Sequence, residues 1–587
     1  MFRKYFRNTF LLIFLLFSFM LLLGGCSKKE SPDKIKSDFD SFMNELFVDE
    51  VQTDTLSLNY TIAAPEKYGI KNRATTLGEY SIAHMTKDLS LSENYLKRLK
   101  AFDYNVLTKE QQLTYMIVQD YLKQDINFGN YLYYNEALGP TTGIQAQLPI
   151  LLAEYGFYDK QDIDQYIKLL SCVYDYFKDI AAFEREKSKK GLFMSDAVAD
   201  RIMDQCEAFI ASPEDNFLIE YFNEKIASYS NLTKEEKEAY MKANREAVLT
   251  KVIPAYKILI DVLLELKGTG TNKAGLYYYP EGQSYYACLA KYKTGSDKSM
   301  EEMTDMLDKG IADGIRQITT ISLTDKKIMD KYLSFSKFPL TDPEEILADL
   351  KDDITKDFPA AVPVNCNIKY VHDSLSNYLS PAMYLVPPMD NFTNNDIYIN
   401  GKDEKTLSMI YTTVAHEGYP GHLYQCVYFR NRRPAPIRNI MNFIGYDEGW
   451  ATYVELYSYH LAGIDDNLAS FLEANNSVIL CMYARADIGI HYEGWSKQKV
   501  VDYVKNFIGD TSAAVTIYNT LLEEPAIYLP YAVGYLEIIN MKEKAQNALG
   551  DAFVLKDFHQ FLLDIGPAQF GVINEYLDGW IKSRQSK

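Results

Sequence analysis

Residues 411–425 read YTTVAHEGYPGHLYQ, and the Pro420-Gly421 pair in the middle is the strongest local constraint in the chain. The surrounding segment LSMIYTTVAHEGYPGHLYQCVYF is amphipathic and helical up to Pro420. A proline inside a helix removes one backbone bond, and its ring opposes the carbonyl four residues back. Here that carbonyl belongs to His416. Glycine at 421 tolerates dihedrals that other residues avoid. The sequence therefore predicts that the helix distorts or ends at 420–421. A His-Glu pair followed by a second His suggests a zinc hydrolase, but H-E-x-x-H places its histidines four residues apart. His416 and His422 are six apart. On a straight helix His422 would sit roughly 240° around from His416 and could not share its ion. A metal site exists here only if the chain breaks and folds His422 back.

The residue types around the break suit metal-assisted hydrolysis. Glu417 adjoins His416, so water held by a metal at the histidine would lie against a carboxylate able to take its proton. A third ligand is expected from a later helix. IGYDEGWATYVELYSYH (444–460) offers Glu448, the expected ligand, and Glu455 seven residues on along the same face. Glu455 reads as an outer support of the site or as an alternative ligand. Four of the seven histidines (416, 422, 460 and 491) fall within 76 residues. His491 has Asp487 one turn before it as an orienting partner. His84, His372, His460 and His559 read as structural. Two histidines and one carboxylate favour a single zinc ion over other divalent metals.

Elsewhere the chain reads as mainly α. Ile35, Phe39, Phe42, Met43 and Leu46 recur at helical spacing. Thr233 with Glu236 forms a capping box opening a long helix that ends at Gly268, with a kink expected at Pro254. GTGTNKAGLYYYPEGQSYYACL (268–289) reads as a turn-rich crossing. SPAMYLVPPMDNFTNNDIYINGKDEKT (380–406) is a second break, in which Asp396–Asn400 reads as a short strand. A strand just before the His-Glu helix could present an edge to an extended peptide, with Tyr398 and Asn400 as substrate contacts. No internal repeat and no long linker occurs. One large helical domain is expected over 35–587, with a helical scaffold over about 35–290 and a catalytic half over about 291–587.

The first residues carry a different signal. Arg3, Lys4 and Arg7 precede LLIFLLFSFMLLL, and Leu23-Gly24-Gly25-Cys26 follows. Basic, apolar and small-residue regions in that order describe a secretory signal. The cysteine after two glycines looks like a lipobox, so residues 1–25 are expected to be cleaved and Cys26 lipidated, with a short linker over 26–34. The competing reading is an uncleaved membrane anchor. Either places the body outside the cytoplasm at a membrane. Formal charge falls from −19 to −22 once the three basic residues are gone, which disfavours nucleic acid as a partner. The other six cysteines are scattered and suggest neither a disulfide framework nor a thiolate metal site.

Several segments together are similar to the bacterial proteins grouped as Domain of Unknown Function 885, which in turn distantly resemble gluzincin (zincin-like) zinc metallopeptidases. They are His416-Glu417-x-x-Pro420-Gly421-His422, Glu448-Gly449-Trp450-Ala451, GLYYYPEGQSYYACL, EPAIYLPYAVG and FHQFLLDIGPAQFGVI, with Arg485, Asp487, Gly489 and His491. The resemblance implies a helical zincin-like architecture with a small β region beside the catalytic helix. It also implies His416, His422 and Glu448 as zinc ligands and Glu417 as general base. Tyr531 becomes a donor to the oxyanion, and His491 or Arg485 a grip on a substrate carboxylate or on the intermediate, which places His491 with Glu417 and Tyr531 among the expected catalytic residues. One departure stands out: the family usually has a second histidine where this chain has Leu423. On a continuous helix that position lies about 10 Å from His416, too far to share its ion. The expected function is a lipid-anchored zinc peptidase acting on short peptides. The alternatives are a cell-surface binding lipoprotein with a degenerate site, or a metal-dependent amidase acting on a non-peptide amide.

Overall fold

The computed structural model describes residues 31–272, 274–371, 380–401 and 404–585. The expected signal segment and Cys26 lie outside the described residues, as does His372. No helix among the described residues is long and apolar enough to cross a membrane. The six cysteines within them are all free.

The architecture is mainly α, with one small sheet. The first described helix, Pro32–Val51, is capped by Ser31 and buries Phe39, Phe42, Met43 and Leu46, the stripe read from the sequence. The capping box at Thr233 forms, with Glu236 N–H donating to Thr233 Oγ1 and Thr233 N–H donating to Glu236 Oε2. Its helix runs over Lys234–Ala247, widens into a π turn at Val248–Val252, and continues as Ile253–Leu266. The π turn just before Pro254 accommodates a residue with no N–H to give. The crossing at 268–289 is shorter than the sequence suggested, because a helix already starts at Gly282 and runs to Thr294.

Two apolar cores organise the chain, and they do not divide at residue 290. One gathers Leu77 and residues between Ala137 and Leu266, including Phe177, Tyr256 and Leu259. The other joins the first helices, Phe39 to Tyr134, to nearly everything after Leu276. The N-terminal helices thus belong to the same core as the C-terminal half, and an insert-like lobe over about 137–266 packs beside them. Polar ties bind the lobe to the rest: the N–H groups of Thr141 and Thr142 donate to Glu524, and Tyr398 Oη donates to Glu154.

The sheet has three strands, β1 (Asn365–Tyr370), β2 (Ala382–Leu385) and β3 (Asn394–Ile399), in the order β1-β3-β2. β3 pairs in parallel with β1 and antiparallel with β2. The strand foreseen at 396–400 therefore exists but is central. Its backbone is paired on both sides, so it cannot add a peptide. The strand lying against the His416 helix is β2.

Candidate metal centre

The helix carrying His416 runs only over Tyr411–Glu417 and stops at Gly418; a new helix starts at His422 and runs to Asn431. Tyr419–Pro420 is a cis peptide. Gly421 N–H donates to the Ala415 carbonyl, which tucks the turn under the first helix. Only glycine fits there, since a Cβ at 421 would stand 1.8 Å from the His416 carbonyl oxygen. Trp450 Nε1 donates to the Pro420 carbonyl at 2.9 Å and fixes the turn from the opposite helix. The break brings the two imidazoles edge to face, with ring centroids 4.8 Å apart.

Glu448 completes the group from the helix Ile444–Tyr457. Its Oε2 lies 3.4 Å from His416 Nε2 and 3.5 Å from His422 Nε2. One ligand atom from each of the three residues falls within 4.8 Å of the others. Ligands about 2.1 Å from a tetrahedral zinc are separated by about 3.4 Å, so both contacts to Glu448 have the length of a tetrahedral edge. Glu448 Oε2 is buried and has no hydrogen-bond partner. A buried carboxylate oxygen left bare costs free energy, and a cation between it and two ring nitrogens removes that cost. The donor set fits zinc. Burial disfavours the charged form of all three residues, yet their mutual attraction outweighs it. Both imidazoles are held above their ordinary basicity by Glu448, with Glu455 adding to His416, and Glu448 is held far below the usual carboxylate range.

Glu455 supports His416. Its Oε2 is 2.9 Å from His416 Nδ1, so that nitrogen donates to Glu455 and Nε2 faces the ligand cluster. Of the two roles read from the sequence, the geometry selects the outer support. Glu417 is braced by β2, where Tyr384 N–H donates to its Oε2 at 2.8 Å. Tyr531 stands with its ring centroid 6.4 Å from that of His416. Burial, with the charges of Glu448 and Glu417, holds its phenol above the ordinary range, so it stays a donor at neutral pH. Tyr531 is placed by a backbone contact. A Cβ on Gly449 would lie 2.5 Å from Gly534, so the helices Ile444–Tyr457 and Leu529–Leu549 touch main chain to main chain. That contact lies one residue from Glu448 and three from Tyr531. Of these six side chains, His416, Glu417, His422, Glu448 and Tyr531 line one cavity of about 470 Å³, together with Ala382, Met383 and Tyr384 of β2, and Glu455 stands outside it.

Other expected site residues lie elsewhere. His491 is fully buried, accepts from Leu276 N–H at Nδ1 and donates from Nε2 to the Leu521 carbonyl. With both nitrogens committed to backbone it has no proton to exchange with a substrate, and its catalytic role is corrected to a structural one. Asp487 does not orient it; the carboxylate accepts from Tyr286 Oη and from Ala526 N–H, pinning the segment that leads to Tyr531. Arg485 is paired with Glu493 and Asp308 and covers Trp495, so it does not grip a substrate. Tyr398 points to Glu154, and Asn400 bonds through its N–H to Pro381 at the end of the sheet, so neither lines the cavity. Leu423 is wholly buried and also outside the cavity.

A sequence profile of a family described as bacterial proteins of unknown function (DUF885) matches residues 65–576. The chain belongs to this family. No curated protein matches it. Among solved structures, the DUF885 chain is similar to a candidate lipoprotein from Colwellia psychrerythraea, with a TM-score of 0.82 at 18% identity over 94% of this chain and 99% of that one. A candidate lipoprotein of unknown function from Shewanella oneidensis follows, with a TM-score of 0.65 at 16% identity over 91% and 98%. Both likenesses show a shared fold. In this DUF885 member the cavity also contains three charged residues that motif reading missed: Arg430, Arg438 and Asp447. Burial pushes the Asp447 carboxyl up to about 7, with His422 opposing and Glu448 adding. Asp447 directly precedes Glu448, and Arg430 lies eight residues after His422, so proximity to the motif was the signal available.

Proposed function

We propose that the chain is an extracytoplasmic, lipid-anchored zinc peptidase that hydrolyses short peptides. The observation that carries this reading is the convergence of His416, His422 and Glu448 around one bare carboxylate oxygen, with Glu417 beside them. Zinc held by those residues would supply a Lewis acid that polarises a scissile carbonyl and acidifies water. Glu417, fixed through one oxygen by Tyr384 N–H, takes the proton of the attacking water and passes it to the leaving amine. Tyr531 donates to the oxygen on which negative charge develops. A pure binding protein has no need of a base set against its metal ligands.

Peptide as substrate is supported by β2. Among the described residues it has a strand partner on one side only. Because Asn400 N–H bonds the Pro381 carbonyl, the alternation of an antiparallel ladder turns the N–H groups of Ala382 and Tyr384 away from β3. One of them meets Glu417, so an extended chain pairing along β2 would run past the base. The lipid anchor rests on the sequence around Cys26 and on the candidate lipoproteins that share the fold.

Metal analysis and turnover test the reading together. Detergent-solubilised full-length protein should carry close to one zinc per chain and lose it in His416→Ala. Glu417→Gln should keep the metal and lose hydrolysis of a mixed peptide library by about 100-fold or more. Protein that stays metal-free in added zinc would end the enzymatic reading.

A further inference from the structure

The cavity that holds the metal ligands also holds two buried arginines without carboxylate partners. Arg430 is 9% exposed and Arg438 is 3% exposed. Arg430 lies on the helix that begins with His422, and donates through Nη1 to the Pro387 carbonyl. Its Nε and Nη2 make no hydrogen bond among the described residues. Arg438 donates through Nη2 to the carbonyls of Ile565 and Pro567 and lies over Phe429, while its Nε is buried with no partner. Neither guanidinium has a carboxylate within ion-pair distance among the described residues. Glu110 acts on Arg438 only through space. Asp447, the other acid on this wall, is influenced by His422 and Glu448 instead.

Buried charge left unpaired is among the costliest features a fold can carry, and such groups in a cavity are commonly matched by what the cavity binds. Guanidinium presents a planar fork that fits a carboxylate through two parallel bonds. We infer that Arg430 and Arg438 form a carboxylate-recognition subsite beside the metal ligands, so that the preferred substrate bears a carboxylate close to the scissile bond. This rests on the hydrolase reading for the word substrate, and on the cavity alone for the binding. Arg430 follows His422 by eight residues, about 12 Å of helix, the span of about three extended residues. The carboxylate is therefore that of a peptide C-terminus, or of an acidic side chain, within about three residues of the bond cleaved. Arg438, which also holds the Ile565–Pro567 turn, positions the wall as well as contributing charge.

Binding, measured apart from turnover, decides the proposal. Zinc-loaded Glu417→Gln full-length protein is titrated calorimetrically with three versions of one tetrapeptide: free C-terminal acid, C-terminal amide, and the amide with Glu in place of its third residue. Preference for either carboxylate-bearing peptide by about tenfold or more over the plain amide is expected, the magnitude of one charge-assisted pair. Which of the two wins tells the C-terminal source from the side-chain source. Arg430→Gln should bring the ratio close to one while zinc content and melting temperature hold. Should that variant fail to fold, Arg430→Lys, which keeps the charge but not the fork, should still reduce the ratio. Equal binding of all three peptides, or binding of none, overturns the proposal. Cleavage by wild-type protein is scored separately, so carboxylate-selective binding without cleavage would sink the hydrolase and leave the subsite standing.

Discussion

His416 Nδ1 and Glu455 Oε2 stand 2.9 Å apart, and this contact decides which ring nitrogen faces the cavity. A donor bond at Nδ1 leaves Nε2 as the lone pair, raises its basicity and fixes the ring plane. Glu455→Ala should therefore weaken zinc affinity by about 10- to 100-fold, read by competition with a chelator of known strength, while turnover recovers at saturating zinc. Unchanged affinity would show that the ring is held by packing alone.

Gly421 is the second point of leverage. Its missing side chain leaves room for the His416 carbonyl, 1.8 Å from where a Cβ would stand. Gly421→Ala should cost about 3 kcal/mol or more in unfolding free energy and should also lower metal occupancy. Gly579, exposed on the helix Phe570–Gln585 with no atom within 4 Å of its added Cβ, is the control. Gly579→Ala should be neutral or stabilising by up to about 1 kcal/mol. Urea unfolding of both variants, with zinc assayed in parallel, makes the comparison.

Tyr531→Phe removes only the phenolic hydroxyl. Since burial and nearby carboxylates keep that group protonated, its loss should lower kcat by about 100-fold with little change in zinc content. A variant of undiminished kcat would place Tyr531 among the packing residues of the wall.

His491 gives a pH signature. Burial pushes its imidazole down to about 4, with the Leu521 carbonyl opposing. The unfolded chain accepts a proton below pH 6.5, which the folded protein refuses until about pH 4. The stability that His491 contributes is therefore constant above about pH 7 and falls as pH drops from 6.5 towards 4, by up to about 3 kcal/mol. Asp487 works in the opposite direction across the whole of this range, because burial raises its carboxyl from 3.8 to about 7. The contribution of His491 is isolated by comparing wild type with His491→Gln, whose amide can donate and accept in the same two directions. The variant should lose less stability on acidification and should keep turnover at pH 7.5 within about fivefold of wild type. A collapse of turnover at full stability would restore His491 to catalysis.

What the sequence revealed follows from how local each signal is. The break at Pro420-Gly421 and its consequence for His422 are properties of a dozen consecutive residues, and stereochemistry is enough to read them. Glu448 and Glu455 were legible because both lie one helix away, spaced to share a face. His491 misled because a histidine near an aspartate looks the same whether its neighbours are substrate or backbone. Only the tertiary fold reveals that Leu276 and Leu521 occupy both nitrogens. β2 was hidden by its length, four residues between prolines, while the stronger strand pattern around Ile397 turned out to be central. The arginines carry no motif at all. Their interest lies in having no carboxylate partner among the described residues, which no single sequence displays.

The contact between Gly449 and Gly534 bears on how the site can move. Helices separated by a layer of side chains can slide, because rotamers absorb the shift. Here two backbones touch, and no rotamer lies between them to yield. Glu448 and Tyr531 are thus welded to one seam and keep their spacing whatever enters the cavity. Any breathing that admits a ligand must come from the facing wall, the short β2 ribbon and the turns around it. The chemistry would then sit on an anvil, with the lighter, sheet-bearing side as the part that gives way.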